Sequence, residues 1–580
     1  MKLNKEIFGF LLLLIFIFVA PGAYTQNIES IIKSDLVKMG GNLSVNTTSE
    51  LLEDSTLTTD RFYYYLSGGI STQLFGFLNV PFTFAYTNNV LTKNLALPYN
   101  RFSIAPNYKK LTVYMGYNSM SFGKYTLSGH DYLGAGALYE GDVWHIEGFY
   151  GRMRKAVQPD STNAQPSYKR MGGGFKIGYK NEKYQLGFDV IKVKDDMHSI
   201  SFNGYEQQYI EPKDNVATSV RLSTTLWKNL DLSGEYGLSM LNKNMAHLDT
   251  VDNHPSDILL EYYGEKVYYH AFDIAISYHL GDQSVGFGYS RIPPNYETLG
   301  GYYFAEDEEA YTVNFATLLF KRISFTGDVG LRHDNLDKQK ISTDNSVAIN
   351  LAASGNITEK LNFNISYNNN QQYLNLRNKY EELIRTTEFE NLDTTEYSRL
   401  NNTTNVGLNY MLSNTETASN SISASFMYQT TSDHQRYDTT SANSKIYNGN
   451  VGYNLSLIPQ KMSASITFGY NRTEMPTQIT DMYTTSVSFT KTLFDKVSAS
   501  LSGTHAYTKM DSITSNVVNG RLSLSYTLKK SHNFSFSLNY INSSQLQGRK
   551  NERLTMNLGY ALSFDIINRE KNKQEDETNH

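Results

Sequence analysis

Residues 533–540 read NFSFSLNY, eight positions in which apolar and polar side chains alternate without a break. Phe534, Phe536, Leu538 and Tyr540 fall on one face, and Asn533, Ser535, Ser537 and Asn539 on the other. Successive side chains of a strand point to opposite sides, so a period of two predicts a strand with one apolar face. The pattern recurs. KMSASITFGY sets Met462, Ala464, Ile466, Phe468 and Tyr470 against Ser463, Ser465 and Thr467. KVSASLSGTHAY sets Val497, Ala499 and Leu501 against Ser498, Ser500 and Ser502, and RLSLSYTL and RLTMNLGYALSF repeat the alternation. From about residue 40 to 564, segments of this kind follow one another, and helix-period segments are almost absent.

The connections alternate in length. Short turns are predicted at 140–142, 181–183, 228–229, 281–283, 459–460 and 495–496, and long connections at about 195–214, 242–265, 293–309 and 372–401. Twenty-six strands are predicted between GGNLSVNTT (40–48) and the last segment (552–564). The weakest patterns lie at 40–48 and 100–106, so 24 is the other admissible count. Strands of about ten to thirteen residues, tilted by about 40°, cover roughly 25–33 Å, the height of an outer-membrane apolar band. A meander this long has no helices to cover its apolar face. Closing it on itself with that face in lipid removes the open edges as well. The expected fold is therefore all-β: a transmembrane up-and-down antiparallel β-barrel with short periplasmic turns and long extracellular loops. A propeller would show a blade repeat, and sandwiches would lack the long–short alternation.

The N-terminus supports export. Lys2 and Lys5 precede a fourteen-residue apolar run, Ile7 to Ala20, and then small residues, which reads as a signal peptide over 1–25. The expected organisation is a short periplasmic segment at 26–39, the barrel at 40–564 and a polar periplasmic tail at 565–580. The chain has no cysteine, which excludes disulfides in an oxidising compartment, and a net charge of −5, which gives no basic field for nucleic acid. Tyrosines crowd the strand ends, as in RFYYY and SLNYINSS, where they would form an aromatic girdle.

Charge of both signs interrupts the inward pattern in the middle of the chain, at Glu147, Lys176, Asp189, Arg221, Asp231, Glu235, Asp273, Asp328 and Arg332. An unpaired ion in a dry interior costs several kcal/mol, so these positions predict a wetted lumen. They would either form cross-strand pairs that stiffen the wall or line a pathway and set its selectivity. A barrel of this size is roughly 50 Å across between backbones and needs filling or gating. Two loops are candidates. LRNKYEELIR in the 372–401 connection places Leu376, Tyr380, Leu383 and Ile384 on one helical face, either as a gate or resting on the rim. SFGKYTLSGHDY (121–132) is the other, either inserted or lying as a turn on the rim. The aromatic and acidic loop at 296–311 reads as solvated rather than as a sugar or cation site, and His254, Asp257 and Glu261 make a loose ligand set. Gly172, Gly173 and Gly174 sit within a strand and read as permitting curvature, not as a nucleotide loop.

The YNSMSFGKYTLSGHDYLGAGALYEGDVWHIEGFYGRM stretch (117–153), the signal peptide and the Tyr/Asn/Ser-rich hairpins resemble large outer-membrane barrels of the Bacteroidota. TonB-dependent transporters are similar in barrel size but carry an N-terminal plug of more than a hundred residues, for which this chain leaves some fifteen, so a plug-less barrel is expected. The lipopolysaccharide-insertion barrels share the strand count and little else. No nucleophile, metal or nucleotide motif is present, so neither an enzyme nor a cofactor is expected. The expected function is a gated or partner-filled passage for a hydrophilic solute or polymer at the outer membrane. Its alternative is a structural or assembly subunit of an outer-membrane complex. The expected partners are outer-membrane lipid and, for either role, outer-membrane or periplasmic proteins.

Overall fold

The computed structural model describes residues 37–566 apart from 53–61, 89–99, 160–165, 206–208, 247–259, 261–263, 302–305, 340–344, 374–396, 436–442, 512, 530 and 545–549. The described residues form one antiparallel sheet in which each strand pairs with its neighbours in sequence. Val37–Leu52 then pairs with Lys550–Ile566, from Met39↔Ile566 to Leu52↔Leu554, and closes the wall. Twenty-six wall positions result, one of them split into Arg101–Ile104 and Asn107–Tyr108. No helix occurs among the described residues.

Both weak patterns are strands. The first runs Val37–Leu52, well beyond 40–48 on either side. The second is broken at Ala105–Pro106, where the proline has no N–H for the ladder. Many strands have the ten to thirteen residues expected, such as Phe62–Leu74 and Leu230–Asn242 with 13 each, while others run longer: Tyr397–Asn414 and Ala418–Gln435 have 18 residues each. The apolar band limits only the part of a strand that lies in it, and the pairing Tyr397↔Gln435 carries this hairpin past that part at the long-loop end.

One sheet face presents a continuous apolar surface to its surroundings. Val220, Leu331, Val451, Phe468 and Leu501 are each more than half exposed, and similar residues recur on neighbouring strands. A soluble fold would bury such a surface. The short-turn end is tipped by aromatics: Trp227, Phe320 and Phe494 are 83%, 86% and 89% exposed, each on a left-handed backbone (φ 48, 52 and 51) that turns the hairpin. The alternating sequence does not mark these residues, because they sit in turns and not on strand faces.

The buried apolar residues lie on the opposite face, in the middle of the chain. Phe149, Met153, Ile191, Val193, Leu241 and Tyr269 come from the wall, and Phe122, Tyr125, Leu127, Tyr296 and Leu299 from two long loops. The core is thus a thickening of one side of the barrel, built where loops return to the wall.

Candidate functional site: two loops strapped to one wall

The strand register sets the charged wall in rows. Glu147 pairs with Lys176, Lys176 with Asp189 and Asp189 with Ser219. One row nearer the short turns, Arg221 pairs with Glu235 and Glu235 with Asp273. The side chains from both rows reach one segment, residues 121–129, which follows the strand Leu111–Met120 at the long-loop end.

That segment turns back on itself through Phe122 N–H to Leu127 O (2.9 Å). Lys176 Nζ donates to Ser121 O at 3.1 Å, Arg221 Nη1 donates to Phe122 O, and the Tyr125 amide donates to Glu235 Oε1 at 3.4 Å. Lys124 Nζ pairs with Asp273 Oδ1 at 3.3 Å. The most buried of these groups is Asp189, which is fully inaccessible. It accepts from the Thr126 hydroxyl, from Ser219 Oγ at 2.8 Å and from Arg221 Nη2 at 3.0 Å. A buried carboxylate is tolerable only when its lone pairs are used and a counter-charge is near, and Asp189 meets both conditions.

Small residues make the approach possible. A Cβ on Gly237 would lie 2.3 Å from Tyr125 Cβ, and one on Gly174 would lie 2.8 Å from Phe122 Cε2. The glycine triplet is therefore more than a curvature device: Gly174 leaves the space that the Phe122 ring fills. Phe122 stacks edge-on to Phe149 with centroids 5.8 Å apart.

A second segment, residues 293–300, locks the first. Tyr296 OH donates to Tyr125 O at 2.6 Å, and the Ser128 amide donates to Gly300 O at 3.1 Å. Asn215 binds this segment to the wall: its Oδ1 accepts from the Leu299 amide at 3.0 Å, and its Nδ2 donates to Ser239 Oγ at 2.8 Å. Lys213 holds Glu297 through both carboxylate oxygens at 2.8 Å. Burial pushes the Tyr125 phenol up, with the Asp273 and Glu235 carboxylates adding to it, and pushes Tyr296 up likewise beside Glu235 and Asp189.

Of the nine charged positions singled out in the sequence, Glu147, Lys176, Asp189, Arg221, Glu235 and Asp273 gather on or beside this loop pair. Glu147 does so indirectly, through Lys176 at 3.5 Å. The other three lie elsewhere. Asp231 is near the short turns with His279 at 3.1 Å, Asp328 accepts from Asn350 at 2.8 Å, and Arg332 pairs with Glu308 at 3.6 Å. Leu376, Tyr380, Leu383 and Ile384 fall outside the described residues, as do His254, Asp257 and Glu261. Two of the four acidic residues at 306–309, Asp307 and Glu309, are buried and not solvated. Asp307 is buried and caps the Asn335 and Leu336 amides at 2.9 and 2.8 Å, and Glu309 meets His333 at 2.8 Å. Asn215, Ser219 and Tyr296 carry no charge, so a pattern of inward charge does not mark them.

No family model matches this chain, and no curated protein matches it. Among solved structures, the P pilus usher PapC translocation pore overlaps 92% of this chain and 100% of its own, with a TM-score of 0.38 and 9% identity. The copper transporter OprC overlaps 91% of this chain and 80% of its own, with a TM-score of 0.41 and 10% identity. The FrpB iron transporter from Neisseria meningitidis overlaps 93% and 83%, with a TM-score of 0.38 and 12% identity. Overlaps this shallow leave the fold resting on the strand pairing itself.

Proposed function

We propose that this chain is an outer-membrane barrel that gives passage to a hydrophilic solute or polymer, and that the 121–129 and 293–300 loops narrow the passage from one side. One observation carries the reading. The charged inward face is committed to holding two loops, with Asp189, Arg221, Glu235 and Asp273 each bonded to residues of the 121–129 segment. Charge needed only to stiffen a wall pairs across strands and stays there. Here it reaches into the space that the wall encloses. The exposed apolar face supports lipid as the partner of the outside, and the polar face suits a hydrated cargo.

Single-channel recording of the refolded protein in a planar bilayer tests this. Deleting residues 122–128 is expected to raise the unit conductance or lengthen the open time. Protein that stays silent intact, after that deletion and after deletion of 374–396 would sink the passage reading and favour an anchoring or assembly subunit.

A further inference from the structure

Among the described residues, one seam of the wall has fewer residue pairs than any other. Between the split strand at 101–108 and the strand Leu111–Met120, only four residue pairs are made: Ser103↔Gly116, Ile104↔Met115, Asn107↔Thr112 and Tyr108↔Leu111. The other side of Leu111–Met120 is paired along its full length, from Leu111↔Tyr139 to Met120↔His130. The ladder stops at Gly116, whose φ of +98 turns the chain away and whose added Cβ would lie 2.4 Å from Phe102 O. Beyond it, towards the long loops, Arg101 and Phe102 pair on one side only, with Ala85 and Phe84. Ser103 Oγ donates to Asn118 Oδ1 across the divergence at 2.7 Å, and Asn118 Nδ2 is buried with no hydrogen-bond partner among the described residues.

An open cavity of about 690 Å³ occupies this divergence and is lined from both faces of the sheet. Tyr132 packs on Phe149 in the core, so its face is the inner one. Tyr117 and Arg152 both stand opposite Leu133 and so share the outer face, where Arg152 Nη2 donates to Tyr117 OH at 3.1 Å. The cavity therefore draws lining residues from both faces of the wall. Four cationic side chains line it, Arg101, Arg152, Arg154 and Lys155, against one carboxylate, Asp131. Beside it on the outer face, Phe102 and Tyr86 are 51% and 46% exposed.

We propose that this seam is a lateral binding site for an anionic amphiphile of the bilayer, a lipid with a phosphate headgroup. The headgroup sits among the arginines and Lys155, and the acyl chains lie along Phe102 and Tyr86. Arginine forks match phosphate geometry, and unpaired strand edges in a bilayer need polar partners that a headgroup supplies. The site rests on the chain spanning a membrane and not on its conducting, so a silent barrel can still bind.

Native mass spectrometry of the detergent-solubilised full chain, titrated with phosphatidylglycerol, phosphatidic acid or phosphatidylcholine, tests it. The two anionic lipids should remain bound under activation that strips phosphatidylcholine. Arg101→Gln with Lys155→Gln changes two exposed side chains and should weaken anionic-lipid binding roughly 10- to 30-fold, while the heat-modifiable gel shift of the folded barrel is kept. Arg152→Gln is the second variant and should act in the same direction. Equal retention of all three lipids, or no change in either variant, would overturn the proposal. Displacement by millimolar inorganic phosphate with no dependence on acyl chains would also overturn it and leave a free-anion site.

Discussion

At the scale of single residues, Asp189 is the group on which the loop depends most. It satisfies Thr126, Ser219 and Arg221 at once, from a fully buried position. Asp189→Ala strands the Arg221 guanidinium and two hydroxyls, and removing one partner of a buried pair costs about 3–5 kcal/mol. Hydrogen exchange should then show the amides of residues 121–129 losing protection while the strand amides keep theirs. Uniform loss across the sheet would instead make Asp189 part of the barrel's own stability. Gly237→Ala probes the docking of the same loop sterically at a different contact, since its Cβ would meet Tyr125 at 2.3 Å, and overpacking of this kind costs about 1–3 kcal/mol. Gly520→Ala is the control, because nothing lies within 4 Å of the added carbon.

At the scale of elements, the two loops form one unit. Tyr125 and Tyr296 are both held neutral by burial, with raised pKa values. A tyrosine whose docked pKa is raised contributes fully to docking below the ordinary value near 10, and that contribution is lost as pH rises beyond it. Docking is therefore expected to be flat through neutral pH and to weaken above about pH 10, by up to about a hundredfold per unit if both phenols ionise on release. Loop-specific hydrogen exchange across an alkaline series checks the sign, after correction for the intrinsic base-catalysed rate. Protection that rises above pH 10 would contradict it. This unit also shows where sequence reading stops. Strand alternation and the inward charges are local patterns, so Arg221 between Val220 and Leu222 is legible from the chain alone. That Thr126 completes the shell of Asp189, or that Phe122 needs Gly174 to be bare, depends on a return path of the chain that no period encodes. The acidic run at 306–309 misleads for the same reason: its partners Asn335, Leu336 and His333 lie a hairpin away.

At the scale of the whole molecule, the two faces of the wall make opposite demands, and a charge placed on each can tell them apart. Val451 lies mid-strand on the apolar face and is 54% exposed, while its neighbour Asn450 points the other way and bonds to Asn448 at 2.5 Å. An arginine on the lipid face near the bilayer midplane costs about 2–4 kcal/mol, whereas a wet interior solvates it. Guanidinium unfolding in lipid vesicles, followed by the two native tryptophans Trp144 and Trp227, should therefore show Val451→Arg losing about 2–4 kcal/mol and Asn450→Arg losing under about 1. The ladder that closes the barrel, Val37–Leu52 on Lys550–Ile566, gives a second measure of the same architecture, since a chain truncated after Ser544 has two open edges and should lose its heat-modifiable form. Similar costs at Val451 and Asn450 would mean that the apolar face does not meet lipid, and the membrane-spanning reading would fall with it.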